Sequence, residues 1–192
     1  MTPRVLLTGF EPFDGAAVNP SWEAVRLAAA RPPSGVDLVT QLLPCVFGTS
    51  LEVLWDAVER YDPDVVVAVG QAGGRPDVTV ERVGINVDDA RIPDNAGRSP
   101  VDTPIVPGAP AAYFATIPVK ACVAAIRAAG VPARVSNSAG TYVCNHVLFG
   151  LLHLAATRRP GLRGGFVHVP WAPEQVLDSG QPAMPAAVVA TA

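Results

Sequence analysis

The apolar run at residues 65–69, Val-Val-Val-Ala-Val, is the feature that most restricts the fold of this chain. It lies between Asp64 and Gly70, and a short β-branched run of this kind is typical of a strand buried on both faces. Further runs of related character occupy residues 4–10, 36–43 and 164–170. Helical patterns separate them. Alternating strands and helices predict an α/β fold with three α/β/α layers and a mainly parallel central sheet.

The length and charge of the chain exclude several classes of protein. The 192 residues predict one domain spanning residues 1–192. The net charge is −3 and no basic cluster occurs, so we expect no nucleic-acid partner. The first apolar run is too short for a signal peptide or a membrane span, which favours a cytoplasmic protein without a membrane partner. The cluster at residues 186–190 predicts a terminal helix that is cut short where the sequence ends.

The three cysteines are Cys45, Cys122 and Cys144, and they form no Cys-x-x-Cys pair. A disulfide framework or a thiolate metal site is therefore not expected. The glycines at residues 70–74 lack the spacing of a phosphate-binding or dinucleotide-binding loop, and no cofactor is predicted. This cysteine usage favours one special thiol and two ordinary ones.

Residues 138–146, Ser-Ala-Gly-Thr-Tyr-Val-Cys-Asn-His, precede the apolar run at residues 147–154. The pattern predicts a loop that delivers Cys144 to the first turn of a buried helix. Unpaired N–H groups and the helix dipole at that position stabilise a thiolate, which is the nucleophilic form of cysteine. The competing interpretation is that Cys144 is a small buried hydrophobic residue.

A cysteine nucleophile needs a base, and the chain has three histidines. On a helical wheel that takes Leu148, Leu151, Leu152 and Ala155 as the inward stripe, Cys144 falls on the same side. His146 and His153 fall on the opposite side, and we interpret them as surface residues or as contacts to a second helix. His168 lies near the carboxyl end of the last strand, where neighbouring strand ends meet, and is the predicted base.

The residue that orients the base must be a carboxylate or an amide. The mixed polar and apolar pattern at residues 78–91 predicts one strand that passes through the core. Glu81 is a candidate because it lies in this valine-rich strand, where an unpaired acid would be costly. Asp88, Asp89 and Asp94 remain alternatives. They adjoin a loop at residues 93–110 that is rich in Pro, Gly and Asp, and we expect this loop to be a lid or an assembly surface.

The loop after the first strand carries Phe10 and Phe13 among turn residues. Loops at the carboxyl ends of parallel strands are where ligands bind. These aromatic side chains are therefore candidates for the wall of a pocket, with a small loop core as the alternative. Ser21 is the predicted N-cap of the helix at residues 22–30.

Several linked motifs together resemble those of the pyrrolidone-carboxylate peptidases, a family of cysteine exopeptidases also called pyroglutamyl peptidases. The motifs are GFEPFDG at residues 9–15, NPS at 19–21, GQAGGR at 70–75, ERV at 81–83 with Asn86, DARIPDN at 89–95, the stretch 138–146 and HVP at 168–170. They occur in the family's order and at its separations from about Leu6 to Pro170.

The resemblance implies a phosphorylase/hydrolase-like α/β fold and a homotetramer. It also implies removal of an N-terminal pyroglutamyl residue from peptides through a thioester acyl-enzyme. The family triad falls on Cys144, His168 and Glu81, which selects Glu81 among the acids left open above. The substrate-binding positions fall on Phe10, Phe13, Gln71, Arg91, Ile92, Tyr142 and Val143. Phe10 and Phe13 match the aromatic pair that holds the lactam ring, and Arg91 matches an arginine near the catalytic centre.

The departures from the family pattern are mild. Cys45 stands where threonine is frequent, Tyr142 where phenylalanine is common, and Ser138 where threonine is frequent. They concern the affinity for substrate rather than the reaction. Two other functions compete with the peptidase: a binding protein that has lost turnover, and an enzyme similar to the nucleoside phosphorylases that shares the fold.

Overall fold

The computed structural model describes residues 2–192, and its strands agree with the predicted apolar runs. The strands are β1 (Arg4–Phe10), β2 (Asp37–Leu43), β3 (Val65–Gln71), β4 (Val78–Glu81), β5 (Val83–Ile85), β6 (Ala112–Phe114), β7 (Ala133–Ser136) and β8 (Arg163–Val169). Six of them form one sheet in the order β2-β1-β3-β8-β4-β7. Every neighbouring pair is parallel except β4 and β8. The predicted mainly parallel sheet is confirmed.

Helices cover both faces of this sheet. They are α1 (Pro20–Ala29), α2 (Thr49–Tyr61), α3 (Val119–Ala128), α4 (Val143–Thr157) and α5 (Ala186–Val189). The apolar faces of α2 and α4 enclose one core against the sheet, while α1, α3 and α5 enclose a second core on the other face. This is the predicted three-layer arrangement. Among residues 2–192, no helix has the length and apolar character needed to span a membrane.

The segment that follows Val78 differs from its prediction as one strand passing through the core. The chain leaves the main sheet at Arg82, and β5 pairs with β6 in a separate antiparallel ribbon. The following loop at residues 93–110 is tied down by a bridge between Asp88 and Thr103 and by the side chain of Asn86. The role of this loop as a lid or an assembly surface stays a prediction.

The N-terminal cap of α1 also differs from its prediction. The N-cap of α1 is Asn19, whose Oδ1 accepts the N–H of Ser21 at 3.1 Å. The predicted cap, Ser21, accepts the N–H of Phe10 at 3.0 Å instead. Because Asn19 Nδ2 also donates to the Glu11 carbonyl, these contacts fix the loop that carries both phenylalanines.

Candidate active site

A cavity of about 520 Å³ opens at the carboxyl ends of β1, β3 and β8. Nine of the ten predicted site residues line it: Phe10, Phe13, Gln71, Arg91, Ile92, Tyr142, Val143, Cys144 and His168. The tenth, Glu81, lies behind His168. The cavity wall also includes Asn19, Arg75 and Trp171, which are not among the predicted site residues.

Cys144 is the second residue of α4, as the sequence predicted. The first helical hydrogen bond in α4 runs from the N–H of His146 to the carbonyl of Tyr142. The N–H groups of Val143, Cys144 and Asn145 precede it and have no acceptor within the helix. The thiol therefore lies beside backbone donors that can stabilise an oxyanion.

His168 and Glu81 form a buried hydrogen-bonded pair. His168 Nδ1 lies 2.8 Å from Glu81 Oε1, and Glu81 is completely buried. A carboxylate only accepts hydrogen bonds, so Nδ1 carries the proton and Nε2 keeps a lone pair. His168 pairs in register with Gly70 on β3, and Gly70 lies directly beneath the Cys144 sulfur. The fold thus brings the thiol and the imidazole to one wall of the cavity.

The protonation states of the three groups follow from burial and charge. Burial raises the pKa of Cys144, and nearby Cys45 and Glu81 add to this effect while Arg75 opposes it. Burial also lowers the pKa of His168, against the opposing influence of Glu81. For Glu81, burial is outweighed by hydrogen bonds from His168 and Arg75, which hold its pKa below the usual range. These directions favour a thiol, a neutral imidazole and a carboxylate over their other protonation states.

Burial therefore opposes the stabilisation of a thiolate that the helix position provides. The helix terminus is where the sequence placed it, but removal of water from the Cys144 sulfur favours the neutral thiol. Burial likewise raises the pKa of Cys45, in the same cavity, to about 12. The raised pKa of Cys144 favours transfer of its proton at the moment of attack on a substrate.

His146 is not a surface residue, contrary to the prediction. Only 5% of it is exposed, and its Nδ1 lies 2.8 Å from Asp88 Oδ2. Its Nε2 accepts the N–H of Gly48, the N-cap residue of α2, at 2.9 Å. The surface interpretation failed because α4 is buried on nearly every side, so a helical wheel finds no outward face. The alternative, a contact to a second helix, describes His146 correctly.

The other three candidate acids lie at different positions and do not contact His168. Asp88 is the partner of His146, and Asp94 accepts the backbone N–H groups of Phe47, Ala96 and Arg98. Asp89 is exposed at the cavity wall. Among the four candidate acids, Glu81 alone contacts His168.

Aromatic side chains form much of the cavity wall. Phe10 is buried and packs against Phe166, with ring centroids 6.3 Å apart. Phe13 lies 6.2 Å from Tyr142, whose hydroxyl donates to the Pro93 carbonyl at 3.0 Å. Since Phe10 and Phe13 both line the cavity, the pocket interpretation of these residues fits better than a separate loop core.

Gly70→Ala provides a test of this packing. A Cβ at position 70 would lie 2.8 Å from Cys144 Sγ and 2.7 Å from Phe166 Cζ. We expect the substitution to lower the free energy of unfolding by about 1–3 kcal/mol because the site is overpacked. Displacement of the thiol should reduce any Cys144-dependent activity by about 10²-fold.

Gly161→Ala is the matched control for that substitution. A Cβ there meets nothing within 4 Å, and Gly161 is exposed. Thermal unfolding and reactivity of the thiol should therefore stay at the wild-type level. Equal effects of both substitutions would contradict the close contact between Gly70 and Cys144.

Comparisons with known proteins agree with the resemblance drawn from the motifs. A family model described as pyroglutamyl peptidase matches residues 3–192. The pyrrolidone-carboxylate peptidase of Streptomyces coelicolor is 67% identical over 187 residues, which cover 97% of this chain and 87% of that protein. The pyroglutamyl peptidase I structure from Bacillus amyloliquefaciens matches with a TM-score of 0.95 and 46% identity, over 98% of this chain and 91% of that one.

A mutant pyrrolidone carboxyl peptidase from Pyrococcus furiosus matches with a TM-score of 0.93 and 41% identity, over 97% of this chain and 92% of that one. The likeness therefore holds both in sequence and in three dimensions. It extends over nearly the whole of each chain. The predicted family is confirmed: the chain belongs to the pyroglutamyl peptidase family.

Proposed function

We propose that this protein is a cysteine exopeptidase that removes an N-terminal pyroglutamyl residue from peptides. The observation that carries the proposal is the convergence of Cys144, His168 and Glu81 at one cavity whose walls are aromatic. In the proposed triad, Cys144 is the nucleophile, His168 the general base and Glu81 the acid that orients it.

Acylation begins with the neutral thiol and the neutral imidazole. His168 Nε2 takes the proton of Cys144 as the sulfur attacks the pyroglutamyl carbonyl carbon, which forms a C–S bond. The developing oxyanion is stabilised by the backbone N–H groups at the start of α4, and Arg91 at the cavity wall is a candidate to assist. Glu81 stabilises the imidazolium through its contact with Nδ1.

Collapse of this intermediate breaks the C–N bond of the substrate. His168 donates its proton to the leaving amine, which departs as the shortened peptide, and a thioester with Cys144 remains. Water then attacks the thioester with His168 again as the base. Pyroglutamate is released, the proton returns to the sulfur, and the thiol is restored.

Selectivity for the lactam follows from the chemistry of the wall. Phe10, Phe13, Ile92, Tyr142 and Val143 offer an apolar slot, with Gln71 as a polar partner. A pyroglutamyl ring is uncharged and flat and can enter such a slot. A free N-terminal ammonium would lose its hydration without a compensating partner, at an effective cost of several kcal/mol.

A direct assay of this proposal compares aminomethylcoumarin amides of pyroglutamate, proline and glutamate. We expect release of the fluorophore from the pyroglutamyl amide at least about 100-fold faster than from the other two, because each charged amine must be desolvated. Comparable rates for all three amides would contradict the proposed specificity. Binding of a pyroglutamyl peptide without release of the amine would favour the binding protein considered from the sequence.

Three further features are part of the proposal. The length of the chain supports a single peptidase domain over residues 1–192, the short first apolar run supports a cytoplasmic location, and the family resemblance supports a homotetramer. The exposed apolar side chains of Val101 and Phe114, 69% and 72% exposed, offer surface that a neighbouring subunit can cover.

A further inference from the structure

The guanidinium of Arg75 contacts several parts of the active site at once. Nη1 donates to Glu81 Oε1 and to Thr79 Oγ1, each at 2.6 Å, and Nη2 donates to the carbonyl of Ser138 at 3.0 Å. We propose that Arg75 is a positioning residue of the peptidase, which holds Glu81 against His168 and fixes the loop that leads to Cys144. This inference rests on the proposed function, because it assigns Arg75 a task in that reaction.

The contact with Glu81 constrains the carboxylate. Oε1 accepts both from His168 Nδ1 and from Arg75 Nη1, while Oε2 is buried without a hydrogen-bond partner within residues 2–192. A fully buried carboxylate that lost Arg75 would lose its contact with a permanent positive charge, and its own charge would be poorly compensated. Arg75 thereby fixes the orientation of the acid on which the tautomer of His168 depends.

The contact with Ser138 constrains the nucleophile. Ser138 opens the loop between β7 and α4, and this loop ends at Tyr142, the N-cap of the helix that carries Cys144. Ser138 is held by Arg75, and Thr141 further along the loop donates to the Asp89 carbonyl at 2.8 Å. Arg75 therefore links the strand of the acid to the loop of the nucleophile, beside the Ser136 hydroxyl, which also donates to the Ser138 carbonyl.

The charge of Arg75 also acts on the base. The titratable or charged groups facing His168 are Glu81 from β4, Cys144 from α4 and Arg75 from the loop between β3 and β4, while Asp89 and Arg91 line the same cavity. Arg163, the other charged residue of β8, lies at the opposite end of that strand. The positive charge of Arg75 lowers the pKa of His168, so its removal should raise that pKa.

Two substitutions separate charge from geometry. Arg75→Met removes the positive charge and the hydrogen bonds to Glu81 and Ser138. We expect kcat for the pyroglutamyl amide to fall by about 10–100-fold, because Glu81 and the loop before Cys144 are then misplaced. The acidic limb of its pH–rate profile should move to higher pH, because protonated His168 cannot act as a base. Arg75→Lys restores the positive charge but not the simultaneous contacts with Glu81 and Ser138. The acidic limb of the pH–rate profile should therefore return to its wild-type pH, while kcat recovers only in part.

Arg82→Met is the matched control, since Arg82 follows Glu81 directly but is exposed. We expect its profile and kcat to equal those of the wild type. Thermal unfolding establishes that each variant is folded at every pH used.

An acidic limb in Arg75→Met that coincides with the wild type overturns the inference. So does a loss confined to KM, which would make Arg75 a direct contact of the substrate. If Arg75→Met does not fold, an unchanged kcat in Arg75→Lys overturns it instead. An inactive wild type would refute the proposed function, whereas an active wild type with unaffected variants refutes only the place given to Arg75.

Discussion

Cys144→Ala is expected to lower kcat/KM for a pyroglutamyl amide by about 10⁴-fold or more, because the acyl-enzyme route is lost with the nucleophile. The cavity walls and the pair of His168 and Glu81 do not depend on the thiol, so affinity for a pyroglutamyl peptide should stay within about 3-fold of the wild type, well under 1 kcal/mol. Release of the fluorophore gives the first quantity and titration calorimetry the second.

Cys122→Ala supplies the control for this substitution. Cys122 is half-buried on α3, whose buried side chains pack in the core on the face of the sheet opposite α4. We expect it to leave kcat/KM unchanged and to cost only a small amount of stability. Activity in Cys144→Ala above about one tenth of the wild type would refute the assignment of the nucleophile, since catalytic nucleophiles are worth far more than that.

A mainly parallel sheet with alternating strands and helices could be predicted from residues 4–10, 65–69 and 164–170, because buried parallel strands leave a clear local pattern. The separate β5–β6 ribbon could not. Residues 78–91 read as one mixed strand, and the break at Arg82 depends on β6, about thirty residues further along the chain. Pairing between distant strands has no local signature.

The candidate site shows the same difference between features that depend on local sequence patterns and features that depend on contacts between distant segments. Cys144 at the start of α4 and His168 near the end of β8 follow from local patterns, whereas the choice of Glu81 among the acids followed from the linked motifs. The burial that raises the pKa of the thiol could not be predicted, because it is set by what packs above and below the sulfur, including Cys45 and the strand at Gly70. Arg75 was visible within the motif at residues 70–75, but its link to Ser138 depends on two loops that are distant in sequence.

His146 shows why proximity in sequence is a poor guide to a catalytic base. It is two residues from Cys144, yet both ring nitrogens are occupied, by Asp88 and by the N–H of Gly48. Such a ring has no lone pair left for a thiol proton. Within residues 2–192, His168 Nε2 has no partner of this kind, and the ring lies at the cavity, so the base is distant in sequence and near in space.

Glu81→Gln and His168→Ala are expected to have the second largest effect and to differ in how activity varies with pH. His168→Ala removes the base, and kcat/KM should fall by about 10⁴-fold at every pH. Glu81→Gln keeps an acceptor for Nδ1 but loses the charge that stabilises the imidazolium, so a fall in kcat/KM of about 10²–10⁴-fold is expected.

The negative charge of Glu81 raises the pKa of His168. Its loss should therefore lower that pKa further and move the acidic limb of the remaining activity to lower pH. This shift is opposite in direction to the one expected for Arg75→Met, and the two profiles, measured side by side, distinguish an anion from a cation acting on the same imidazole. A limb that moves to higher pH in Glu81→Gln would refute the place given to Glu81 as the charged partner of His168.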